Sequence, residues 1–169
     1  MHPAFSEFET ALERVARRLP QLPRQDVTLT RLYFFAFRAL NEDLNGTLAP
    51  YGLNTNSMLA LTMLYASPHQ SAHPSSLSLG LIASRTNITR LVDELVDFGL
   101  VQRQACAGDR RKIVVTLTAE GVALVERALP VQWQRMRAIW SALSAGEAAL
   151  LGELLQKLWG RLHELERDT

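Results

Sequence analysis

Three features of the 169-residue chain predict a mainly α-helical (α+β) fold. From residue 85 to 98 the apolar residues Ile88, Leu91, Val92, Leu95 and Phe98 recur at helical spacing, with a polar edge at the start of the stretch. Directly after Gly99 the period changes to two: LVQRQ and KIVVTL read as strands, joined by a polar tip from Ala105 to Arg111. Long amphipathic stripes then occupy both ends of the chain, upstream of Pro50 and downstream of Thr118. A short helix followed at once by a basic two-stranded ribbon is the outline of a winged helix-turn-helix lobe with a two-stranded β wing. The terminal helices are left to form a separate layer.

The totals narrow the function classes. Apolar residues make up 47% of the chain, and no run approaches the length of a membrane span. The first residues carry Glu7, Glu9 and Glu13 and lack an apolar signal core, so the expected compartment is the cytoplasm, with no membrane partner. A single cysteine, Cys106, excludes an internal disulfide and a cysteine-based zinc site. His2, His69, His73 and His163 are scattered, so neither a metal nor another cofactor is expected. Net charge is only +1, yet Leu100 to Lys112 holds four cations against Asp109 alone. Next to a helix with a polar leading edge, that local excess reads as a phosphate-contacting wing rather than a merely solvated hairpin.

Taken in order, Phe5, Phe8, Leu12, Val15 and Leu19 predict an amphipathic helix that Pro20 and Pro23 end. Leu29, Leu32, Tyr33, Phe37, Leu40, Leu44 and Leu48 predict a longer one, ending near Pro50-Tyr51-Gly52. Asn54 suits the N-cap of a helix through Ser57, Leu61 and Leu64. Pro68 to Pro74 reads as a loop, and SSLSLGLIAS (75–84) as a short helix whose Leu77, Leu81 and Ile82 face inward. Ser84 is placed to cap the helix that follows. Gly99, with apolar Leu100 after it, suits a Schellman ending.

Thr118 can cap a long helix along Val122, Val125, Leu129, Trp133, Met136 and either Ile139 or Trp140, although Gly121 stands where Glu or Gln would complete the capping box. Pro130 should bend or break it. Ser144 and Glu147 make a complete box before a last helix whose Leu151, Leu155, Leu158, Leu162 and Leu165 follow a 4-3-4-3 spacing. The helical ends carry more apolar surface than a slender helix can hide, which favours packing against a second copy over folding back onto the lobe. The expected division is 1–50 and 118–169 as a dimerisation domain and 51–117 as the DNA-binding lobe.

With these residues laid out, the chain resembles the MarR family of bacterial winged-helix regulators from about Leu29 to Glu166. The resemblance rests on SRTNITRLVDEL, on GDRRKIVVTLTAEG and on WSALSAGE; the spacing of Asp109, Arg110, Leu117, Thr118 and Gly121 is its most specific mark. LTRL at 29–32, SRTN at 84–87 and ALPVQ at 128–132 resemble the EmrR/MprA-like branch. The resemblance implies a triangular homodimer on a pseudo-palindromic operator in double-stranded DNA. It further implies repression of a multidrug efflux or stress-response operon, and release by small phenolic or aromatic compounds bound where the lobe meets the dimer helices.

The candidate DNA-binding residues are Ser84, Arg85, Thr86, Asn87, Thr89, Arg90, Asp109, Arg110, Arg111 and Lys112. Arg85 or Arg90 can bond a guanine edge with two parallel N–H groups, and Asn87 suits adenine. Thr86 and Thr89 can meet phosphate or a thymine methyl, while Thr86 and Asn87 have local capping as their other reading. Arg110 or Arg111 would enter the adjacent minor groove, and the family motif implies that Asp109 braces the arginine. Asp93, Glu94 and Asp97 are expected to face away from the duplex or to pair with Arg103 or a wing arginine.

Candidate ligand-binding residues are Arg31, Tyr33, Phe34, Phe37, Arg38, Met58, Met63 and Tyr65, each of which taken singly reads first as core. Cys106 reads as an incidental thiol. The chain has no Gly-rich phosphate loop, no G-x-S-x-G and no paired acid–base constellation, so no enzyme is expected. The competing class is a helical homodimeric protein-interaction module without DNA binding. It accounts for the heptads and leaves the polar start of the 84–98 helix and the arginine-bearing tip without a purpose.

Overall fold

A computed structural model describes the backbone of residues 3–81, 85–106 and 109–167, and their side chains other than those of 3, 4, 85, 106 and 109–112. The order is α1 (Pro3–Arg18), α2 (Arg24–Leu48), a helical turn at Ala49–Tyr51, α3 (Thr55–Ala66), a turn at Pro68–Gln70, β1 (Ser71–Ala72), α4 (Pro74–Gly80), α5 (Arg85–Asp97), β2 (Val101–Cys106), β3 (Asp109–Leu117), α6 (Ala119–Trp140) and α7 (Ala145–Arg167).

The lobe forms around α3. Its N-terminus is closed by a reciprocal cap: the Asn54 side chain accepts from the Ser57 N–H at 3.0 Å, and the Ser57 hydroxyl accepts from the Asn54 N–H at 2.8 Å. Met58, Ala60, Leu61 and Leu64 are all 1% exposed or less, so α3 is surrounded by α2, α4, α6 and β3. The same core takes Leu77 of α4, Val115 and Leu117 of β3, and residues from outside 51–117: Leu48 of α2, and Leu124, Val125 and Ala128 of α6.

The sheet has one strand more than the predicted wing. The segment read as a loop contributes β1, which pairs antiparallel with β3 through Ser71↔Thr116 and Ala72↔Val115, giving the order β1-β3-β2. Two residues carry no readable alternation, and the turn before them is unusual: His69 (φ 56°) and Gln70 (φ 53°) both adopt left-handed backbone that non-glycine residues seldom use. The ribbon also runs further than predicted. Asp109 to Arg111, read as tip, lie in β3.

The α5–β2 junction follows the Schellman expectation. Gly99 has φ 69°, its N–H donates to the Val96 carbonyl at 2.8 Å, and the Leu100 N–H donates to the Leu95 carbonyl at 2.9 Å. Thr118 caps α6 by accepting from the Gly121 N–H at 3.0 Å, and donates its own hydroxyl hydrogen to the Gly99 carbonyl at 2.7 Å. Here lies the reason for the incomplete box: a Cβ at position 121 would collide with the Leu100 carbonyl oxygen. The glycine is needed for the close approach of α6 to the Gly99 turn.

Two packing expectations need correction. Phe98 is 63% exposed, because α5 ends at Asp97 and the chain turns before Phe98 can follow the buried face. The buried positions of α6 are Gly121, Leu124, Val125, Ala128 and Gln132, one step round from the predicted stripe, and Trp133 is exposed. The helix runs through Pro130 without a break. α7 buries no residue within this chain, and Ser144 and Glu147 form the predicted cap: the Glu147 carboxylate accepts from the Ser144 N–H at 2.8 Å and from its hydroxyl at 2.7 Å.

Candidate nucleic-acid interface

α5 is amphipathic in the way a groove-reading helix must be. Ile88, Leu91, Val92 and Leu95 are each 8% exposed or less and seat it against α4 and β2. Opposite them, Thr86, Asn87, Thr89 and Arg90 are exposed, so one turn offers hydroxyl, amide and guanidinium groups to the exterior. Ser84, the expected cap, and the side chain of Arg85 lie outside the described residues. Of the wing candidates Asp109, Arg110, Arg111 and Lys112 the structure describes the backbone, in a β-ribbon whose register shifts between Ala105 and Cys106; their side chains, and that of Cys106, lie outside the description. The ribbon leaves the lobe as it approaches this end: Val115 is wholly buried, while Ile113 is 45% exposed.

Two acidic residues of α5, Glu94 and Asp93, are engaged within the protein. Arg90 Nη1 donates to Glu94 Oε1 at 2.5 Å, one turn further along. Asp93 pairs with Arg103 of β2, Nη1 to Oδ1 at 2.5 Å, as expected; the pairing of Glu94 with Arg90 on its own helix is not among the expected ones. The second terminal nitrogen of Arg103 donates to the Thr89 carbonyl at 3.3 Å, a contact that no spacing rule exposes because it depends on how the ribbon crosses the helix. His73 likewise ties the start of α4 to the Ile113 carbonyl through Nδ1 at 3.0 Å.

The eight ligand candidates are not gathered in one place. Met58 lies in the lobe core, and Met63 packs over Gly80 of α4. Tyr65 donates its hydroxyl hydrogen to Glu126 of α6 at 3.0 Å, and that bond pushes the phenol above its ordinary pKa. Arg31 sits over the rings of Phe35, at 4.5 Å, and Phe8, at 5.7 Å, tying α1 to α2. Tyr33, Phe34 and Phe37 form an exposed aromatic row on α2, with Tyr33 and Phe37 stacked at 6.4 Å, and Arg38 pairs with Glu42 one turn on. A cleft of about 450 Å³ between α1 and α2, lined by Ser6, Glu9, Thr10, Leu12, Glu13, Arg24 and Thr28, includes none of the eight. Among the described residues no group of three His, Cys, Asp or Glu side chains is placed to hold a metal ion, and no single helix is long and apolar enough to cross a membrane.

Comparison with known proteins fits this geometry. The sequence model of the MarR family matches residues 53–113, from the start of the lobe into the wing. The transcriptional repressor MprA of Escherichia coli (strain K12) is 36% identical over 168 residues, covering 99% of this chain and 96% of that protein. Among solved structures, AbsC, a MarR family transcriptional regulator from Streptomyces coelicolor, shares the fold with a TM-score of 0.78 at 22% identity, over 85% of this chain and 97% of that one. A mutant of MarR from Escherichia coli, complexed with operator DNA, superposes with a TM-score of 0.73 at 27% identity, over 82% of this chain and 98% of that one. Whole-length likeness to MprA, the match across the lobe and the shared architecture lead to one conclusion: the chain is a member of the MarR family of transcriptional regulators, proteins that are not enzymes, and it stands close to MprA within that family.

Proposed function

We propose that the protein is a homodimeric repressor that grips a pseudo-palindromic operator with two copies of α5 and its ribbon. The observation that carries this reading is the polar leading edge of α5. Thr86, Asn87, Thr89 and Arg90 stand exposed on a helix whose opposite face is fully seated, beside a ribbon that carries Arg110, Arg111 and Lys112 out of the lobe. Ser84, Arg85 and Asp109 complete the set, as cap, second base-reading guanidinium and brace of the wing arginine. The exposed apolar faces of α2, α6 and α7 supply the surface by which residues 1–50 and 118–169 would pair two copies and so fix the separation of their 51–117 lobes.

Gel shift and fluorescence anisotropy against a duplex selected by the protein from a random pool test the reading. Replacing Arg90 by Ala is expected to cost about 1–3 kcal/mol of discrimination at one base position. Replacing Arg110 or Arg111 by Ala is expected to weaken binding and to lower the salt slope by about 0.9 for each phosphate that is no longer neutralised. Unchanged affinity and slope in both wing variants remove the ribbon from the interface.

In its finer form the reading makes the protein the switch of an efflux or stress-response operon, released by a small phenolic or aromatic compound. The exposed Tyr33, Phe34 and Phe37 row with Arg38 on α2 supports an aromatic, anionic effector; Arg31, Met58, Met63 and Tyr65, the further candidates, lie apart from that row. Release requires the effector to bind the DNA-incompetent arrangement more tightly; equal affinity for both shifts nothing. A salicylate titration that leaves operator affinity untouched overturns this part and spares the DNA-binding reading.

A further inference from the structure

On the DNA-binding reading above, we propose that Arg103 and Asp93 are positioning residues that lock the angle between α5 and the ribbon, so that helix and wing reach the duplex together. Arg103 stands opposite Val115 in the β2–β3 register, so both side chains leave the same face of the ribbon, and Val115 anchors that rung in the core. From there one guanidinium grips α5 at two points: Nη1 meets the Asp93 carboxylate at 2.5 Å, and Nη2 meets the Thr89 carbonyl at 3.3 Å. Thr89 and Asp93 are four residues apart, so the Thr89 carbonyl, which points along the helix toward residue 93, lies beside the Asp93 side chain.

The need for such a clamp follows from leverage. Along the chain α5 passes into β2 through the Gly99 turn, and its buried face rests on α4 and β2 through apolar contacts that fix no angle as sharply as a hydrogen bond does. A helix of 13 residues is roughly 20 Å long, so a tilt of roughly 10° about that turn would carry its leading edge roughly 3 Å, more than a hydrogen bond tolerates. Arg103 fixes the helix near its middle and shortens the free arm. The clamp also accounts for an acid on a helix that faces a polyanion. Asp93 repels phosphate, and its place on α5 is understandable if its work is to hold Arg103.

Charge and positioning predict opposite signs, and that separates them. Asp93→Asn removes a negative charge, so electrostatics alone tightens binding to every duplex. Loss of the clamp instead weakens binding to the selected duplex, on the order of tenfold, with little loss on a random duplex of equal length. The measurement is anisotropy over a range of salt for wild type, Asp93→Asn, Arg103→Ala, Arg103→Lys and the double variant, below the melting temperature found for each by circular dichroism. The expected result is a loss specific to the selected duplex in both single variants and an unchanged salt slope for Arg103→Ala. The double variant should be no weaker than Arg103→Ala, and lysine should give no rescue, because a single ammonium lacks the planar fork that holds both acceptors at once. Tighter binding of Asp93→Asn to both duplexes overturns the proposal. So does an Arg103→Ala variant that loses affinity for both duplexes with a flatter slope, since Arg103 would then touch phosphate itself. A wild type that binds neither duplex defeats the DNA-binding reading itself, and the clamp with it.

Discussion

The lobe and the terminal helices treat the same kinds of side chain in opposite ways. Leu61, Leu64, Ile88 and Val115 of the lobe are 2% exposed or less, whereas Leu150, Leu154, Leu158 and Leu162 of α7 are about half exposed, at 48–55%. Both regions are rich in leucine at helical spacing. The difference lies in what surrounds them: three helices and a sheet close around α3, while α7 leaves α6 at 101° across residues 141–144 and packs on nothing comparable. α6 belongs to both worlds, burying Leu124, Val125 and Ala128 against the lobe while Trp133 and Trp140 stay open. A lobe that closes its core within one chain can present a fixed reading edge. Helices that do not close theirs await another surface, which the proposed dimer supplies.

The largest expected effect breaks the lobe. Leu61→Ala empties the centre of α3 and should cost about 2–5 kcal/mol, read as a drop in melting temperature relative to wild type that is the same at low and high protein concentration. Leu158→Ala makes the counterpart. If α7 is buried only between copies, its destabilisation must depend on concentration, because dimer stability follows mass action. Melts at two concentrations a hundredfold apart, with sedimentation equilibrium alongside, check the pair. A concentration-independent loss for Leu158→Ala would show that α7 already packs within its own chain.

The same comparison can be made with glycine. At position 121 an added methyl meets the Leu100 carbonyl, so Gly121→Ala should destabilise by about 1–3 kcal/mol through overpacking. At position 152 nothing lies within 4 Å, so Gly152→Ala should stabilise α7 by about 0.5–1 kcal/mol through helix propensity. Urea unfolding of both variants reads the two signs. A loss at position 152 would reveal a partner backbone pressed against the glycine, and would sharpen the dimer reading rather than break it.

These contrasts bear on how much of the molecule is legible in its sequence. Periodicity exposes each helix, and local chemistry exposes their ends: Asn54, Thr118 and Ser144 cap as expected, and Gly99 closes α5 in the Schellman geometry. Such signals are short-range, and a single segment contains all of the atoms involved. What escapes is set by distant parts of the chain. β1 exists because Ser71 and Ala72 lie beside Thr116 and Val115, forty-odd residues away in sequence. The buried face of α6 lies one step from the apolar stripe because apolarity alone does not tell a face packed on the lobe from one awaiting a partner. For the candidate interface, the polar edge of α5 is legible, and so is a pairing of its acids with Arg103; the reach of Arg103 to the Thr89 carbonyl is not. The row Tyr33, Phe34 and Phe37 reads as core by composition, yet it is exposed in the single chain, because composition carries no information on which chain covers a face.

The smallest expected effect is electrostatic and separates the two regions by pH. Asp43 of α2 is held below its ordinary value of 3.8 by hydrogen bonds from Arg135 of α6, one of them Nε to Oδ2 at 2.7 Å. Glu147 is held below 4.5 by the hydroxyl and backbone N–H of Ser144 at the start of α7. A carboxyl whose folded pKa is depressed contributes stability that is complete above its unfolded value and disappears as pH falls through the folded one. Both contributions are therefore in place above about pH 4.5 and fade below it. Their reach differs. Asp43 joins two helices that pack together, so Asp43→Asn should flatten the acid limb of global unfolding in urea between about pH 5 and pH 3. Glu147 closes only its own helix end, so Glu147→Gln should leave that limb nearly unchanged and instead speed amide exchange in the first turn of α7 at neutral pH. An acid limb shared by wild type and Asp43→Asn would show that the Arg135 pair does not couple α2 to α6. A limb altered by Glu147→Gln would show that the end of α7 is tied to global unfolding, and the separation between a closed lobe and open helices would have to be redrawn.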